Sequence, residues 1–365
     1  MKRSLTLATA IVCISLFSAA QSTQKLAATK LNEFGLIYRL PATVVDVTIE
    51  AERTVCQPGE FHRYAVKYFG ANEHVITKPE EKWTVKSVTL STHGEPVDTL
   101  TYLAQFKPGS NVTMIADAQM VPLAINTESV LPVSKPALPE AREAEPTPLQ
   151  TEAARQVMSE EMIQSQSIAK RAEIAAGILF SLRQSRTEII SGQAENMPPD
   201  GKALQLVLDR IDAQERALTA MFLGTTQTST QVRTFSFVPN VEDDGETIIA
   251  RLSATDGIVN ADNLAGAPIA LTCEVVEKGE LPKNEKGEVK RYPKGGVAYR
   301  IPGKARVTVD YDGHQFATLT FDAAQFGVVF GIDPALFTDK KAPSFAVFNP
   351  VTGGIAQIGL ANDAQ

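Results

Sequence analysis

Between residues 44 and 52 apolar and polar side chains alternate: Val45, Val47, Ile49 and Ala51 against Asp46, Thr48, Glu50 and Glu52. Successive side chains of a strand point to opposite faces, so this stretch predicts a strand with one buried and one wet face. Pro58-Gly59 ends it. Phe61, Tyr64, Ala65 and Tyr68 then fall on one side of a short helix, which Gly70 is placed to close. Residues 83–90 and the segment from Thr101 to Phe106 predict two more strands, with His93-Gly94-Glu95-Pro96 as the turn between them. Residues 25–130 thus read as an N-terminal β-rich region.

The pattern then changes twice. Residues 131–148 carry Pro132, Pro136, Pro139, Pro146 and Pro148 among mixed charges, the composition of an extended, exposed linker. From Thr147-Pro148-Leu149-Gln150, which resembles a capping box, residues 149–224 read as a helical hairpin. Ile168, Ala172, Ala175, Leu179, Leu182 and Ile189 form a stripe interrupted by Arg186, and Gly192 stops the first helix. The pattern weakens before Ile168, which leaves room for a bend there. Pro198-Pro199 reverses the chain, and Asp200-Gly201 starts a second helix with the stripe Leu204, Leu208, Ile211, Leu218 and Phe222. Asp212 and Arg216, four apart, are placed to pair on its outer face. A single helix from 149 to 191 would run about 60 Å, twice the second, so its early part, 149–163, should meet another surface.

After a polar Thr/Gln/Ser run at 225–231, residues 232–365 read as a C-terminal β-rich region. Strands are predicted at 233–238, 247–253, 268–277, 297–301, 305–310 and 316–321, with a charged connection at 278–296. The end, FAVFNPVTGGIAQIGL, predicts a hairpin turning at Asn349-Pro350 and Gly353-Gly354. The fold class expected is α+β: mostly antiparallel β regions flanking a long central antiparallel helical hairpin.

Residues 1–20 show a basic start (Lys2, Arg3), an apolar run and the small exit Ser18-Ala19-Ala20, as in a cleaved secretory signal peptide. Cys13 lacks the small neighbours of a lipidation site, so a soluble exported protein is expected. No other run approaches the roughly 18 apolar residues of a membrane span. Export would permit a disulfide between Cys56 and Cys273. Cys273, however, shares parity with Ile269, Leu271 and Val275, the pattern of a buried free thiol. Without Lys2 and Arg3 the chain has 33 basic residues against 42 acidic ones. No surplus of positive charge exists to neutralise phosphates, which disfavours nucleic acid as a partner.

Candidate chemistry is sparse. Gly303-Lys304 lacks both the first glycine and the hydroxyl of a phosphate loop, since Ala298 and Ala305 stand there. No G-x-S-x-G elbow occurs. Ser167-x-x-Lys170 falls inside the helical region without companion motifs. His62, His74, His93 and His314 show no ligand spacing. Glu242-Asp243-Asp244-Gly245-Glu246 and Asp310, Asp312 and Gly313 read as solvated turns. Trp83 with Tyr64, Tyr68 and Tyr102 would make a sugar-stacking platform only if they met on one surface. No catalytic, cofactor-binding or metal residue and no cofactor is assigned.

PGEFHRYAVKYFG, ENMPPDGKALQLVLDRIDAQERAL, YRIPGKARVTV and AQFGVVFGI resemble segments of an uncharacterised family of exported Gram-negative proteins, a domain of unknown function. The resemblance covers nearly the whole mature chain. It implies an envelope protein, periplasmic or on the outer surface, and no assigned activity. The reading that follows is a non-enzymatic binding or scaffolding module whose hairpin contacts another envelope protein or a second copy, with 149–163 as the contact surface. A glycan- or small-ligand-binding β module is the alternative, and an unrecognised hydrolase the third.

Overall fold

The computed structural model describes residues 35–70, 74–106, 109–132, 136–196, 201–240 and 245–360. The signal-like stretch 1–20, the Pro198-Pro199-Asp200 reversal and Glu242 to Asp244 lie outside them.

The chain opens with two long strands. β1 (Leu36–Gln57) runs through the expected 44–52 strand and well beyond it on both sides. Val45, Val47, Ile49 and Ala51 are buried as their parity requires. A 3-10 turn and α1 (Ala65–Phe69) follow, and Gly70 closes the helix at φ 66°. β2 (Glu80–Ala104) then pairs antiparallel with β1 along almost its full length. The turn expected at His93-Gly94-Glu95-Pro96 does not exist: these residues pair with Val44, Thr43, Ala42 and Pro41. Two features explain the glycine and the proline. Gly94 lies where β2 meets the main chain of Pro350, with no room for a Cβ. Pro96 faces Pro41 where the register shifts, so both prolines sit at an irregularity that needs no ladder donor.

Short strands β3 (Met114–Ala116) and β4 (Pro122–Ile125) come next. The described part of 131–147 holds no helix or strand and is mostly exposed. The first long helix is not continuous. A 3-10 turn at Pro148–Gln150 is followed by α2 (Glu152–Gln156), α3 (Glu160–Gln164) and α4 (Ile168–Ser191). At each break a Ser or Thr adopts extended dihedrals, and two of them cap the next helix. Ser159 Oγ accepts from Met162 N–H at 3.2 Å and Ser167 Oγ from Lys170 N–H at 3.4 Å. Hydroxyl side chains in a helix interior compete for backbone groups, and here they win. Ser167-x-x-Lys170 is therefore a helix start.

α5 (Lys202–Leu223) packs antiparallel to α4 and nearly equals it in length, 22 residues against 24. The expected half-length mismatch vanishes because α2 and α3 fold back. Val157 and Met162 are buried with Phe61, Leu179, Leu218 and Phe222 in a helical core. Leu149, Val157, Met158 and Met162 thus turn one side of residues 149–163 into that core, while Ile163 stays 66% exposed on the other. Asp212 does not pair with Arg216. It bridges to Arg186 at 3.1 Å across the hairpin, beside Arg183–Glu215 at 2.7 Å. The arginine that interrupts the stripe is thus an interhelical tie.

The remaining elements are β5 (Thr225–Phe237), β6 (Glu246–Ser253), β7 (Gly257–Asn260), β8 (Gly266–Glu277), β9 (Val297–Tyr311), β10 (His314–Ile332), β11 (Ser344–Phe348) and β12 (Ile355–Leu360). The polar run 225–231 is strand, pairing residue by residue with Gln57 back to Ala51. Segments 297–301 and 305–310 belong to one strand. Tyr311 pairs with His314 across Asp312-Gly313, both at positive φ, as a two-residue hairpin turn demands. The C-terminal hairpin forms as predicted.

Three sheets result, ordered β2-β1-β5, β10-β9-β8-β6-β7 and β12-β11-β4-β3. The first two face each other across a core of β1 side chains with Ile269, Leu271, Val307 and Val309. The third closes one end over Tyr38, Leu40, Phe337 and Phe348. The helical core sits at the opposite end of β1, joined through Phe61 N–H to Met221 O at 2.7 Å and Ile76 N–H to Leu223 O at 2.8 Å.

Gly94→Ala is expected to cost about 1–3 kcal/mol, because the atom it meets is main chain and cannot swing aside. Gly177→Ala, on α4 where a Cβ meets nothing within 4 Å, is expected to gain roughly 0.5–1 kcal/mol. Urea unfolding of both variants checks this, and a Gly94→Ala midpoint equal to the parent's contradicts the close approach.

Candidate functional site

A polar cleft forms where the proline-rich strap, the described stretch 136–148, passes β5. Thr230 N–H donates to Arg142 O at 2.8 Å, and Arg142 N–H donates to Thr230 Oγ1 at 2.8 Å. Thr230 therefore points its main chain away from β1. Antiparallel pairing alternates in steps of two, so Thr228 and Thr226 also turn their N–H and C=O groups away from β1. The strap does not follow them. Past Thr230, among the described residues only the Gln227 side chain hydrogen-bonds to it, donating to Glu145 O. A cleft of about 650 Å³ opens between β5, the strap and the Ala213–Arg216 turn of α5.

Its chemistry is hydroxyl-rich and mixed in charge. Lys86 Nζ lies 3.7 Å from Glu50 and 3.8 Å from Glu52. Arg142, Arg216, Glu143 and Glu145 have no ion-pair partner among the described residues, and none of the lining side chains is aromatic. Such a lining supplies hydrogen bonds and balanced charge. It offers no nucleophile beside a base.

A second polar cluster lies at the far end of the sandwich. Tyr38 Oη donates to Ala298 O at 3.1 Å and accepts from Ala298 N–H at 2.6 Å, with its ring stacked 5.9 Å from Tyr102. Arg300 is 8% exposed; its Nη1 donates to Ala324 O at 2.7 Å, while its Nε and the Tyr102 Oη have no partner. Burial holds the Arg300 pKa below the usual arginine range, since it disfavours the charge. Burial also raises the pKa of Tyr102 and Tyr299, lifts Tyr292 to about 12 and pushes Tyr38 far above the normal phenol range.

The hairpin offers a third feature. Every buried side chain of α4 lies between Ala172 and Leu179, and those of α5 lie between Ile211 and Phe222. The distal half carries Ile190 at 66% and Leu206 at 63% exposure, with Phe180 also exposed. The ion pairs Arg183–Glu215 and Arg186–Asp212 set the antiparallel register, which brings Ile190 and Leu206 to the same end.

The residues singled out from sequence do not converge. Tyr64 and Tyr68 pack in the helical core, Trp83 against the sandwich core and Tyr102 beside Tyr38, so the aromatic platform does not form. His62 Nδ1 meets Gly59 O at 2.8 Å within its own turn. His93 is in mid-strand, 2.6 Å from Asp46 Oδ2, and not at a turn. His74 and His314 are exposed. Cys56 and Cys273 lie in different sheets and are not disulfide-bonded; Cys273 packs partly against the sandwich core, as its parity suggests. Among the described residues no three His, Cys, Asp or Glu side chains are grouped to hold a metal, and no helix is long and apolar enough to cross a membrane. Sequence reasoning missed the cleft because its residues fall in the supposed linker and polar run. The threonine alternation Thr226, Thr228, Thr230 was the available signal.

The raised tyrosines fix a pH dependence. The native state keeps these protons where the unfolded chain, with a phenol pKa of about 10, releases them. Their contribution to stability is complete below pH about 10 and drains away as pH climbs through the folded-state values. Tyr38→Phe is expected to cost about 1–3 kcal/mol at pH 8, leaving the Ala298 groups unpaired. It should then lose less stability than the parent between pH 10 and 12. Parallel alkaline limbs in urea melts contradict this.

No curated protein and no solved structure matches the chain. A family model does, over residues 34–356, nearly the whole chain. With that span matched, the protein belongs to the family described as a domain of unknown function (DUF4831).

Proposed function

We propose that the protein is an exported, non-enzymatic binding module of the Gram-negative cell envelope that docks another envelope polypeptide on the distal half of its helical hairpin. The observation that carries this reading is the split of the hairpin into a buried base and a projecting end with exposed Ile190 and Leu206. Ile190 and Leu206 leave two large aliphatic side chains in solvent at the same end, where a helix-in-groove or bundle contact would cover them. The Arg183–Glu215 and Arg186–Asp212 pairs stiffen the two helices against each other, so little ordering entropy is lost on docking. Export rests on the signal-like residues 1–20.

Ile190→Glu/Leu206→Glu is expected to shift stability by no more than about 0.5 kcal/mol, as exposed substitutions do. The same variant should fail to retain the partner captured by the tagged parent from its native envelope. An unchanged partner set contradicts the docking surface. Amino-terminal sequencing of the envelope-associated chain should begin just after Ala20; a chain starting at Met1 and retained inside the cell contradicts export.

A further inference from the structure

The cleft beside β5 carries an inference independent of the hairpin. The strap runs antiparallel to β5, with Arg142 opposite Thr230. Continuing that register would set Ala144 opposite Thr228 and Pro146 opposite Thr226. Neither pair forms a hydrogen bond among the described residues. At the Thr226 position proline explains why, since Pro146 has no N–H to give; Ala144 keeps its donor but does not reach Thr228. The strap starts a ladder that it cannot finish.

Two strand positions of β5 therefore present unpaired N–H and C=O groups to a cleft of about 650 Å³. Unpaired edges of this kind accept another extended chain. The lining selects among ligands. With no aromatic side chain it lacks a stacking surface for sugars or bases. Glu143 and Glu145 offset Arg142 and Arg216, so a polyanion gains little. The hydroxyls of Thr226 and Thr228 disfavour an apolar guest. A polypeptide backbone with mixed-charge side chains satisfies every group.

We infer that this cleft binds an extended, proline-free segment of a partner protein, added as a strand along β5 at Thr226 and Thr228. Main-chain hydrogen bonds hold the segment, and Arg216 on α5 favours an acidic side chain above it. Arg142 marks where the strap itself occupies the edge and sets the limit of the added strand.

The probe is a phage-displayed library of random dodecapeptides panned on the full chain, with selected peptides synthesised and titrated. Thr228→Pro removes a donor that faces the cleft and leaves the β1–β5 hydrogen bonds in place. Thr228→Val keeps the donor and removes the hydroxyl. Selected peptides should bind parent and Thr228→Val alike, and bind Thr228→Pro about tenfold more weakly, the effect of one or two lost main-chain hydrogen bonds. Pro146→Ala supplies a second arm that does not disturb β5. It lets the strap complete its own ladder, so it should weaken peptide binding and slow exchange of the Thr226 and Thr228 amides. Equal binding to all variants, loss with Thr228→Val, or a library yielding no cleft-dependent peptide overturns the inference. Ile190→Glu/Leu206→Glu should leave peptide binding unchanged, which separates this site from the hairpin.

Discussion

Strand β1 is the constraint on which the rest of the molecule depends. Its 22 residues are paired on both sides, with β2 along almost the whole length and with β5 over the second half. Fixing each residue costs about 1–2 kcal/mol of backbone entropy, which an isolated strand could not offset. Two ladders and two cores offset it here. Val45, Val47, Ile49 and Ala51 fill the sandwich, while Tyr38 and Leu40 fill the end closed by β11. Each large apolar side chain removed from water contributes roughly 1.5–3 kcal/mol. A one-residue slip would turn the whole inner set outward, so the register of β1 fixes that of both neighbours.

From this frame the helical part hangs by a short joint. The chain leaves β1 at Gln57 and returns into β5 at Thr225. Gly59 and Gly224 stand at the crossing, each with main chain too near to admit a Cβ, and Gly224 is at φ 89°. Phe61 plugs the base of the hairpin against Phe222, with rings 5.3 Å apart. The hairpin and the β5 cleft thus share one root, where α5 runs directly into β5. Whatever orients that root orients both surfaces.

Much of this frame was legible in side-chain periodicity, and what was missed has a physical explanation. Alternation at 44–52 marked the core face correctly, because burying one face of a strand leaves a period of two. Asp312-Gly313 and the Asn349–Gly354 turn were legible because positive φ demands particular residues. Main-chain pairing leaves no such mark. The polar run 225–231 pairs through its backbone with β1, and its side chains carry no apolar signal. His93-Gly94-Glu95-Pro96 has turn residues, yet Gly94 serves a close approach to Pro350 and Pro96 a register shift. Tertiary contact overrode local preference there. In the 149–167 segment the helix breaks lie in the capping geometry of Ser159 and Ser167, residues that a helix interior tolerates poorly. The candidate cleft was the least legible part, since it is built from an unfinished ladder.

Native-state amide hydrogen exchange tests the central claim most directly, because it ranks segments by the free energy needed to open them. A frame held by β1 with a projecting hairpin requires the slowest exchange at Val45 to Ala51. It requires much faster exchange in the distal turns of α4 and α5 around Ile190 and Leu206, under conditions where the protein is monomeric. Distal hairpin amides as protected as those of β1, or β1 amides that open before the hairpin does, would contradict the account.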